Sequence, residues 1–193
     1  MIDYKLLDDA SKYYNSVADF KRIESPWLVT KEISDITKPV NCSSYIVKKD
    51  TEETEKVFVA SGEQSLLYLI NKGFLGNGGK FQTITPCMRN DSFDSTHTKY
   101  FIKLELMNFS TKGKMDIEDV DYIVYEALNF FSSFTKGKYT QPKIVSTGND
   151  CFDIMYKDVE IGSYGLRHTS FCSWVYGTGI AEPRFSRILR SLV

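Results

Sequence analysis

Two strand-like runs joined by a polar loop constrain the fold of this chain more than any other segment. The run from Phe81 to Arg89 alternates like a strand, and a second run spans Lys99 to Met107. The letters between them, NDSFDST, are polar. The pattern therefore predicts two antiparallel strands that meet as a hairpin.

The rest of the chain alternates between helix-like and strand-like segments. The strongest helix pattern spans 117–134, where the apolar residues form one stripe, and weaker patterns cover 8–20 and 62–72. Strand-like composition is found at 27–29, 45–49, 57–60, 143–146, 151–157 and 159–163, and 180–193 resembles a strand edge that turns into a helix. Several antiparallel strands with two or three helices on one side predict an α+β fold, an antiparallel sheet flanked by helices.

Length and charge exclude several classes of protein. A chain of 193 residues is about one domain long, and it shows no repeat or linker, so we expect a single domain over 1–193. No stretch approaches the roughly 18 apolar residues of a membrane span, and we expect no membrane partner. The net charge of −1 argues against a long nucleic acid as the main partner. The four scattered cysteines predict reduced thiols in the cytoplasm rather than a zinc site.

The ends of the predicted hairpin carry groups that suit a nucleotide. Arg89 closes the first strand and His97 opens the second, so both can point at one phosphate chain. His97, Phe101 and Glu105 share one face of the return strand. A cation, an aromatic plate for a base and an acid in one row predict an ATP site. The alternative is an ordinary polar hairpin with a core phenylalanine.

A glycine-rich strand near the end of the sequence adds to this prediction. Gly177 and Gly179 lie in a strand, where glycines usually mark a close approach of backbone to ligand. Arg184 could then stack on a base from the face opposite Phe101. The alternative is a glycine-kinked strand that leads into a surface helix. A third segment, around Pro26, predicts on its own only an ordinary turn from helix to strand.

Taken in order, the three segments resemble the signature motifs of the class II aminoacyl-tRNA synthetases. The first motif, Gly-Φ-x-x-Φ-x-x-Pro-Φ-Φ with Φ apolar, fits residues 19–28 except at the leading glycine. The second, Arg-x-(Glu/Asp), a loop, then (Arg/His)-x-x-x-Phe-x-x-x-(Asp/Glu), is filled by Arg89, Asp91, His97, Phe101 and Glu105. The third, Gly-x-Gly-x-Gly-Φ-(Glu/Asp)-Arg, is matched by Gly177, Gly179 and Arg184, while Ala181 replaces a glycine and Glu182-Pro183 replaces the apolar–acidic pair. The resemblance covers about residues 19–190.

The resemblance implies adenylation of a carboxylate with ATP and Mg²⁺. It implies that Arg89 neutralises the α-phosphate and that His97 and Arg184 hold the terminal phosphates. Phe101 and Arg184 would sandwich the adenine, with Asp91 near its amino group. Because a substrate carboxylate supplies the nucleophile, Cys87 and Cys172 are expected in the core or in the wall of a pocket.

Further stretches are similar to family features that bind substrate and metal. Ser61, Glu63 and Gln64 stand where many members carry a Thr-x-Glu-like loop that holds the substrate's α-amino group. Asp153 and Glu160 precede the third motif, where members place acids that bind magnesium. Ser163 and Arg167 lie in a stretch similar to the Glu-x-Ser-Ser and Gly-Ile-Arg of the asparagine synthetase A branch, which implies that Arg167 meets a carboxylate or a phosphate. Trp174 is a further candidate pocket residue.

The resemblance leaves three functions open. The sequence stops at Val193, directly after the third motif, and we expect a stand-alone catalytic core without an anticodon-binding domain. Our preferred prediction is activation of a small carboxylate, an amino acid, by ATP. The alternatives are a minimal tRNA-aminoacylating enzyme, against which the net charge argues, and a binding or regulatory paralogue without catalysis. The first motif usually forms a dimer interface in the family, so we expect a homodimer through the region around Pro26.

Overall fold

The structure, a computed structural model, describes residues 1–38, 43–47, 55–90 and 98–190. The helices are α1 Tyr4–Ala18, α2 Lys31–Thr37, α3 Gly62–Asn71, α4 Ile117–Thr135 and α5 Arg184–Arg190. The strands are β1 Lys21–Arg22, β2 Leu28–Thr30, β3 Ile46–Val47, β4 Lys56–Phe58, β5 Gly78–Met88, β6 Tyr100–Ser110, β7 Lys143–Gly148, β8 Cys151–Tyr156, β9 Val159–His168 and β10 Ser173–Glu182. Among the described residues, none of the helices combines the length and the apolar character that a membrane crossing requires.

The described strands form one large and one small sheet. The large sheet has the order β1-β5-β6-β10-β9-β8-β7, and the small sheet has the order β2-β4-β3. All neighbouring strands run antiparallel except β1 and β5, which are parallel. The predicted hairpin is β5–β6, in which Phe101 pairs with Cys87 and Glu105 pairs with Thr83. The α+β prediction with a helix-flanked antiparallel sheet is confirmed.

Alternation along β6 divides the core into two layers on opposite faces of the large sheet. Leu104 and Leu106 pack with α1 and α4 in one apolar cluster. Met107 and Phe109 pack with α3, α2 and the small sheet in the other. Successive strand residues point to opposite faces, so β6 contributes side chains to both clusters. Helices therefore pack against both faces of the large sheet. Three helices, α1, α4 and α5, pack on one face, as the predicted two or three helices require, and α2 and α3 pack on the other face.

Side-chain caps set where several helices begin. Asp3 accepts a hydrogen bond from the backbone N–H of Leu6, at 3.0 Å, so α1 starts earlier than the predicted residue 8. Asp116 and Asp119 form a reciprocal capping box at the start of α4, which matches the predicted helix closely. The buried carboxylate of Glu182 accepts backbone N–H groups from Asp3 at 3.0 Å and from Ser186 at 2.9 Å. Glu182 thus joins the starts of α1 and α5.

Candidate functional site

A polar cleft on the α3 side of the large sheet brings together residues from all the predicted binding stretches except the region around Pro26. Its volume is about 190 Å³. It is lined by Thr37, Ala60, Ser61, Glu63, Gln64, Arg89, Phe101, Lys103, Glu160, Ser163, Arg167, Tyr176, Thr178, Ala181 and Arg184. The second and third motifs meet here because β6, which carries Phe101, is the direct neighbour of β10, which leads into Arg184.

Arg89 and Phe101 occupy one end of the polar cleft. The Arg89 guanidinium lies over the Phe101 ring, with its central carbon 5.1 Å from the ring centroid. Arg89 Nε also donates to the backbone oxygen of Ala60 at 2.9 Å. One hydrogen bond and one aromatic face therefore hold the guanidinium, whose remaining N–H groups can reach an anion in the cleft.

Arg184 and Glu160 form an ion pair beside this end. Arg184 donates to the Glu160 carboxylate at 3.0 Å and to its backbone oxygen at 3.1 Å. Burial raises the pKa of the nearby Asp153 carboxyl, and the negative charge of Glu160 adds to the rise, while a hydrogen bond with Ser163 opposes it. Asp153 itself lies outside the lining of the polar cleft.

Two predicted substrate-binding residues are occupied by hydrogen bonds within the protein. The Gln64 amide accepts from Ala60 N at 2.8 Å and donates to Ser34 O at 3.0 Å. The Ser61 hydroxyl caps α3 and donates to the Glu105 carboxylate, which is fully buried beneath the cleft. Gln64, Ser61 and Glu105 therefore position the walls of the cleft.

Glu63 and Arg167 stand together at the other end. Only 4 % of Glu63 is exposed, and one carboxylate oxygen accepts from Trp174 Nε1 at 2.7 Å. The other oxygen lies 3.6 Å from the Arg167 guanidinium. Burial raises the pKa of Glu63 to about 7, although Arg167 and the Trp174 hydrogen bond act in the opposite direction. Trp174 is fully buried and lies outside the cleft lining, so it orients Glu63 from below.

Of the lining residues that the sequence analysis did not single out, Lys103 and Tyr176 carry a charged and an aromatic side chain. Lys103 Nζ lies 3.0 Å from the Glu105 carboxylate, and the side chain is 11 % exposed at the cleft. The Arg167 guanidinium stacks on the Tyr176 ring, with its central carbon 4.5 Å from the ring centroid. The strand period of two places Lys103 on the same face as Phe101, and that alternation was the available signal. Tyr176 had no comparable signal because β10 is buried along most of its length.

The two glycines of the third motif lie against the helix-covered core. A Cβ at Gly177 would come within 2.6 Å of the Tyr164 ring, and one at Gly179 would collide with Leu104 and approach Tyr14. The Gly179 carbonyl accepts from the buried Tyr14 hydroxyl at 3.0 Å. Core packing therefore explains both glycines, which corrects the interpretation that they mark a close approach to a ligand.

The remaining predictions have mixed outcomes. Asp91 and His97 lie outside the described residues, as does Cys42. Cys87 and Cys172 are buried, as expected, and burial raises the pKa of each thiol. In the described ranges no cluster of three or more His, Cys, Asp or Glu side chains could hold a metal ion on its own.

Solved structures with this fold include catalytic domains of class II aminoacyl-tRNA synthetases. The cytoplasmic serine–tRNA ligase of Naegleria fowleri, in complex with AMP, has a TM-score of 0.72 at 16 % identity over 93 % of this chain. Two structures of pyrrolysyl-tRNA synthetase from Desulfitobacterium hafniense have TM-scores of 0.70 and 0.71, each at 16 % identity over 97 % of this chain. This chain spans 46 % of the serine enzyme and 69 % of the pyrrolysyl enzyme. No protein-family model and no curated protein sequence matches the chain. The chain therefore has the fold of a class II synthetase catalytic core.

Proposed function

We propose that this chain activates a small carboxylate, an amino acid, by transferring AMP from ATP to the carboxylate oxygen. The observation that carries the proposal is the meeting of Arg89, Phe101, Arg184 and Glu63 in one polar cleft within this fold. In the reaction an oxygen of the substrate carboxylate bonds to the α-phosphorus. The bond from that phosphorus to the bridging oxygen breaks, and pyrophosphate leaves with the electron pair.

The end of the cleft at Phe101 is suited to the nucleotide. The Phe101 ring offers a face to the adenine, and Arg184 can approach it from the opposite side. Arg89, which now lies on the same ring, can turn its free N–H groups to the α-phosphate and neutralise the charge that develops there. Asp91 and His97 keep the roles implied by the resemblance, at the adenine amino group and the terminal phosphates.

The residues present fit a magnesium ion bound together with the nucleotide. Mg²⁺ usually takes one or two protein carboxylates plus phosphate oxygens and water. Glu160 and Asp153 would supply the two carboxylates. Burial raises the pKa of Asp153 and the charge of Glu160 adds to the rise, so a bound cation would favour the ionised form of Asp153. A bound Mg²⁺ would neutralise the charge of the phosphates.

The end of the cleft at Glu63 is suited to the substrate. An ionised Glu63 can accept an ammonium group, and the Trp174 hydrogen bond fixes the carboxylate in place for it. The substrate's own carboxylate would then extend toward Arg89 and the α-phosphate, so binding positions the two reacting atoms. We also propose that the chain forms a homodimer through the region around Pro26.

ATP–pyrophosphate exchange with the twenty amino acids tests the proposal. We expect exchange with one acid, and we expect Arg89→Ala to lower it by about 10²–10³-fold, the usual effect of removing one transition-state donor. Arg190→Ala, which removes an exposed arginine of α5, is the matched control and should keep the wild-type rate. Circular dichroism and the unfolding midpoint check that both variants stay folded.

The outcomes separate the three candidate functions. Unchanged exchange in Arg89→Ala would contradict the assignment of the ATP site. ATP binding without exchange for any acid would favour a binding or regulatory paralogue. Formation of charged tRNA after exchange would favour the minimal aminoacylating enzyme.

A further inference from the structure

Two hydroxyl groups on α2 are buried without a hydrogen-bond partner among the residues that the structure describes. They are Ser34 Oγ and Thr37 Oγ1. The two residues are three positions apart in the seven-residue helix, so they lie on the same face, one turn from each other. A buried hydroxyl that makes no hydrogen bond destabilises a fold, so its presence in a folded protein needs a reason.

One of the usual acceptors for the Thr37 hydroxyl is already taken. A threonine in a helix often donates to the carbonyl oxygen three or four residues earlier. The Ser34 oxygen, three residues before Thr37, accepts from the backbone N–H of Lys38 at 3.1 Å and from the Gln64 amide at 3.0 Å. Both lone pairs of that oxygen are therefore used, and the Thr37 hydroxyl is left over as a hydrogen-bonding group.

Only one of these two hydroxyls belongs to a residue of the polar cleft. Thr37 is part of the lining, whereas Ser34 is not. A threonine side chain in a helix divides between two rotamers, so a rotation about the Cα–Cβ bond can turn the Thr37 hydroxyl towards a ligand in the cleft. The unpaired group is therefore available to a bound molecule.

Hydrogen bonds hold α2 against the wall that joins the two ends of the cleft. The Gln64 amide bonds the Ser34 oxygen on α2 and the Ala60 nitrogen, at 3.0 Å and 2.8 Å. The Ala60 oxygen in turn accepts from Arg89 at 2.9 Å. The wall thus runs from the anchor of Arg89 to the proposed ammonium site, which directly precedes Gln64 in the sequence. Thr37 lines the cleft along this wall, between the two proposed substrates.

We propose that Thr37 is a further catalytic residue, whose hydroxyl donates a hydrogen bond to an oxygen of the α-phosphate in the transition state. The inference rests on the proposed function, in which the substrate carboxylate attacks the α-phosphorus near Arg89. The charge on the α-phosphate oxygens has to be stabilised while the bond to pyrophosphate breaks, and a donor fixed at that point supplies this stabilisation. The proton stays on the threonine hydroxyl, so the reaction gains no additional step.

ATP–pyrophosphate exchange on the full chain, with the amino acid that the wild type activates, tests the inference. Thr37→Val keeps the size of the side chain and removes the hydroxyl, so kcat should fall by about 100-fold, the smaller of the losses typical for one transition-state donor. The KM values for ATP and for the amino acid should stay unchanged, because the bond forms only in the transition state. Thr37→Ser, which keeps the hydroxyl, should retain most of the activity.

The unfolding midpoint separates this role from a structural one. Thr37→Val removes a hydroxyl that is unpaired among the described residues, so its midpoint should be at least that of the wild type. Ser34→Ala is the matched control, because it removes the other unpaired hydroxyl and keeps the backbone oxygen that Gln64 binds. Its kcat should equal that of the wild type.

Each other result overturns the inference. A wild-type kcat in Thr37→Val would leave the proposed function standing without a role for Thr37. A higher KM with an unchanged kcat would mean that Thr37 binds a substrate in its ground state. A lower unfolding midpoint in Thr37→Val, or an equal loss of kcat in Ser34→Ala, would assign the hydroxyl to the packing of α2. Absence of exchange with every amino acid in the wild type would remove the proposed function itself, and this role with it.

Discussion

The chemistry of Glu63 depends strongly on its surroundings. The carboxylate is almost completely buried, yet it has one good hydrogen bond, from Trp174, and one distant cation, Arg167. Removal from water therefore outweighs the two stabilising contacts, and the pKa rises from its ordinary 4.5 to about 7. A carboxyl group that changes charge near neutrality in a cleft is typical of a functional site.

The stability of the protein should report this titration. The folded-state pKa of Glu63 lies above the unfolded value, so the folded chain binds more protons between about pH 4.5 and 7. The free energy of unfolding should therefore fall as the pH rises through this window, by roughly 3 kcal/mol relative to Glu63→Gln. Urea unfolding of both proteins from pH 4 to 8 measures the difference.

Glu63→Gln is the appropriate reference because its amide oxygen can still accept from Trp174 while the side chain no longer titrates. Parallel pH profiles for the two proteins would contradict the prediction. A difference that grows in the opposite direction, with the wild type gaining stability as the pH rises, would mean that Arg167 outweighs burial.

At the scale of single elements, β10 joins the polar cleft to the core. Its residues Tyr176, Thr178 and Ala181 face the cleft, whereas Gly177 and Gly179 face the packed helices. A break in register between Thr178 and Ile180 interrupts the pairing with β6. The glycines allow Tyr164 and Leu104 to pack directly against the backbone of β10. This packing holds β10 between the helix-covered core on one face and the polar cleft on the other.

Gly179→Ala should therefore damage the fold rather than nucleotide binding. The new methyl group would meet Leu104, and overpacking of this kind typically costs about 1–3 kcal/mol in the free energy of unfolding. Gly148→Ala is the matched control, because no atom lies within 4 Å of the added carbon. Urea unfolding measures stability, and calorimetric titration measures ATP affinity. A stable Gly179→Ala protein with lost ATP affinity would restore the interpretation of the glycine as a ligand-facing position.

Elements with a strong pattern of their own could be predicted from the sequence. The hairpin β5–β6 and the amphipathic α4 appear where alternation and the apolar stripe place them. The start of β10 could not be predicted, because a strand buried on both faces has no alternating polarity. The second half of β9 was also missed. The seven-residue α2 was missed as well, since a helix this short depends on tertiary contacts.

The candidate site was predictable as a set of residues but not as a set of contacts. The resemblance to the family motifs predicted that Arg89, Phe101 and Arg184 share one site, and the three residues line the same cleft. The hydrogen bond from Gln64 to Ser34, thirty residues away in sequence, has no signature in any local pattern. Such long-range bonds decide which polar groups remain available to a ligand.

At the scale of the whole molecule, a second concave surface lies apart from the polar cleft. We name it the Trp27 groove, a depression of about 800 Å³ between α1 and the segment that links β1 to β2. It is lined by Tyr4, Leu7, Asp8, Arg22, Ile23, Glu24, Ser25, Pro26, Trp27, Leu28, Phe58 and Ile84. Tyr4 is 67 % exposed and Trp27 is 57 % exposed, which is unusual for such large apolar side chains together.

The Trp27 groove contains the stretch that resembles the first motif, and its exposed aromatic residues suit the homodimer that we propose. We expect the wild-type chain to show twice its mass of 22.1 kDa in light scattering at micromolar concentration. Trp27→Glu should shift the protein to the monomer mass, because the change removes an aromatic anchor and places a charge in an apolar contact. Tyr125→Glu makes the same kind of change at a 60 % exposed position on α4, outside the lining of the groove, and should leave the dimer intact. A wild-type monomer, or dimers in both variants, would refute the assignment of the groove as the interface. Dissociation by Tyr125→Glu alone would move the interface to α4.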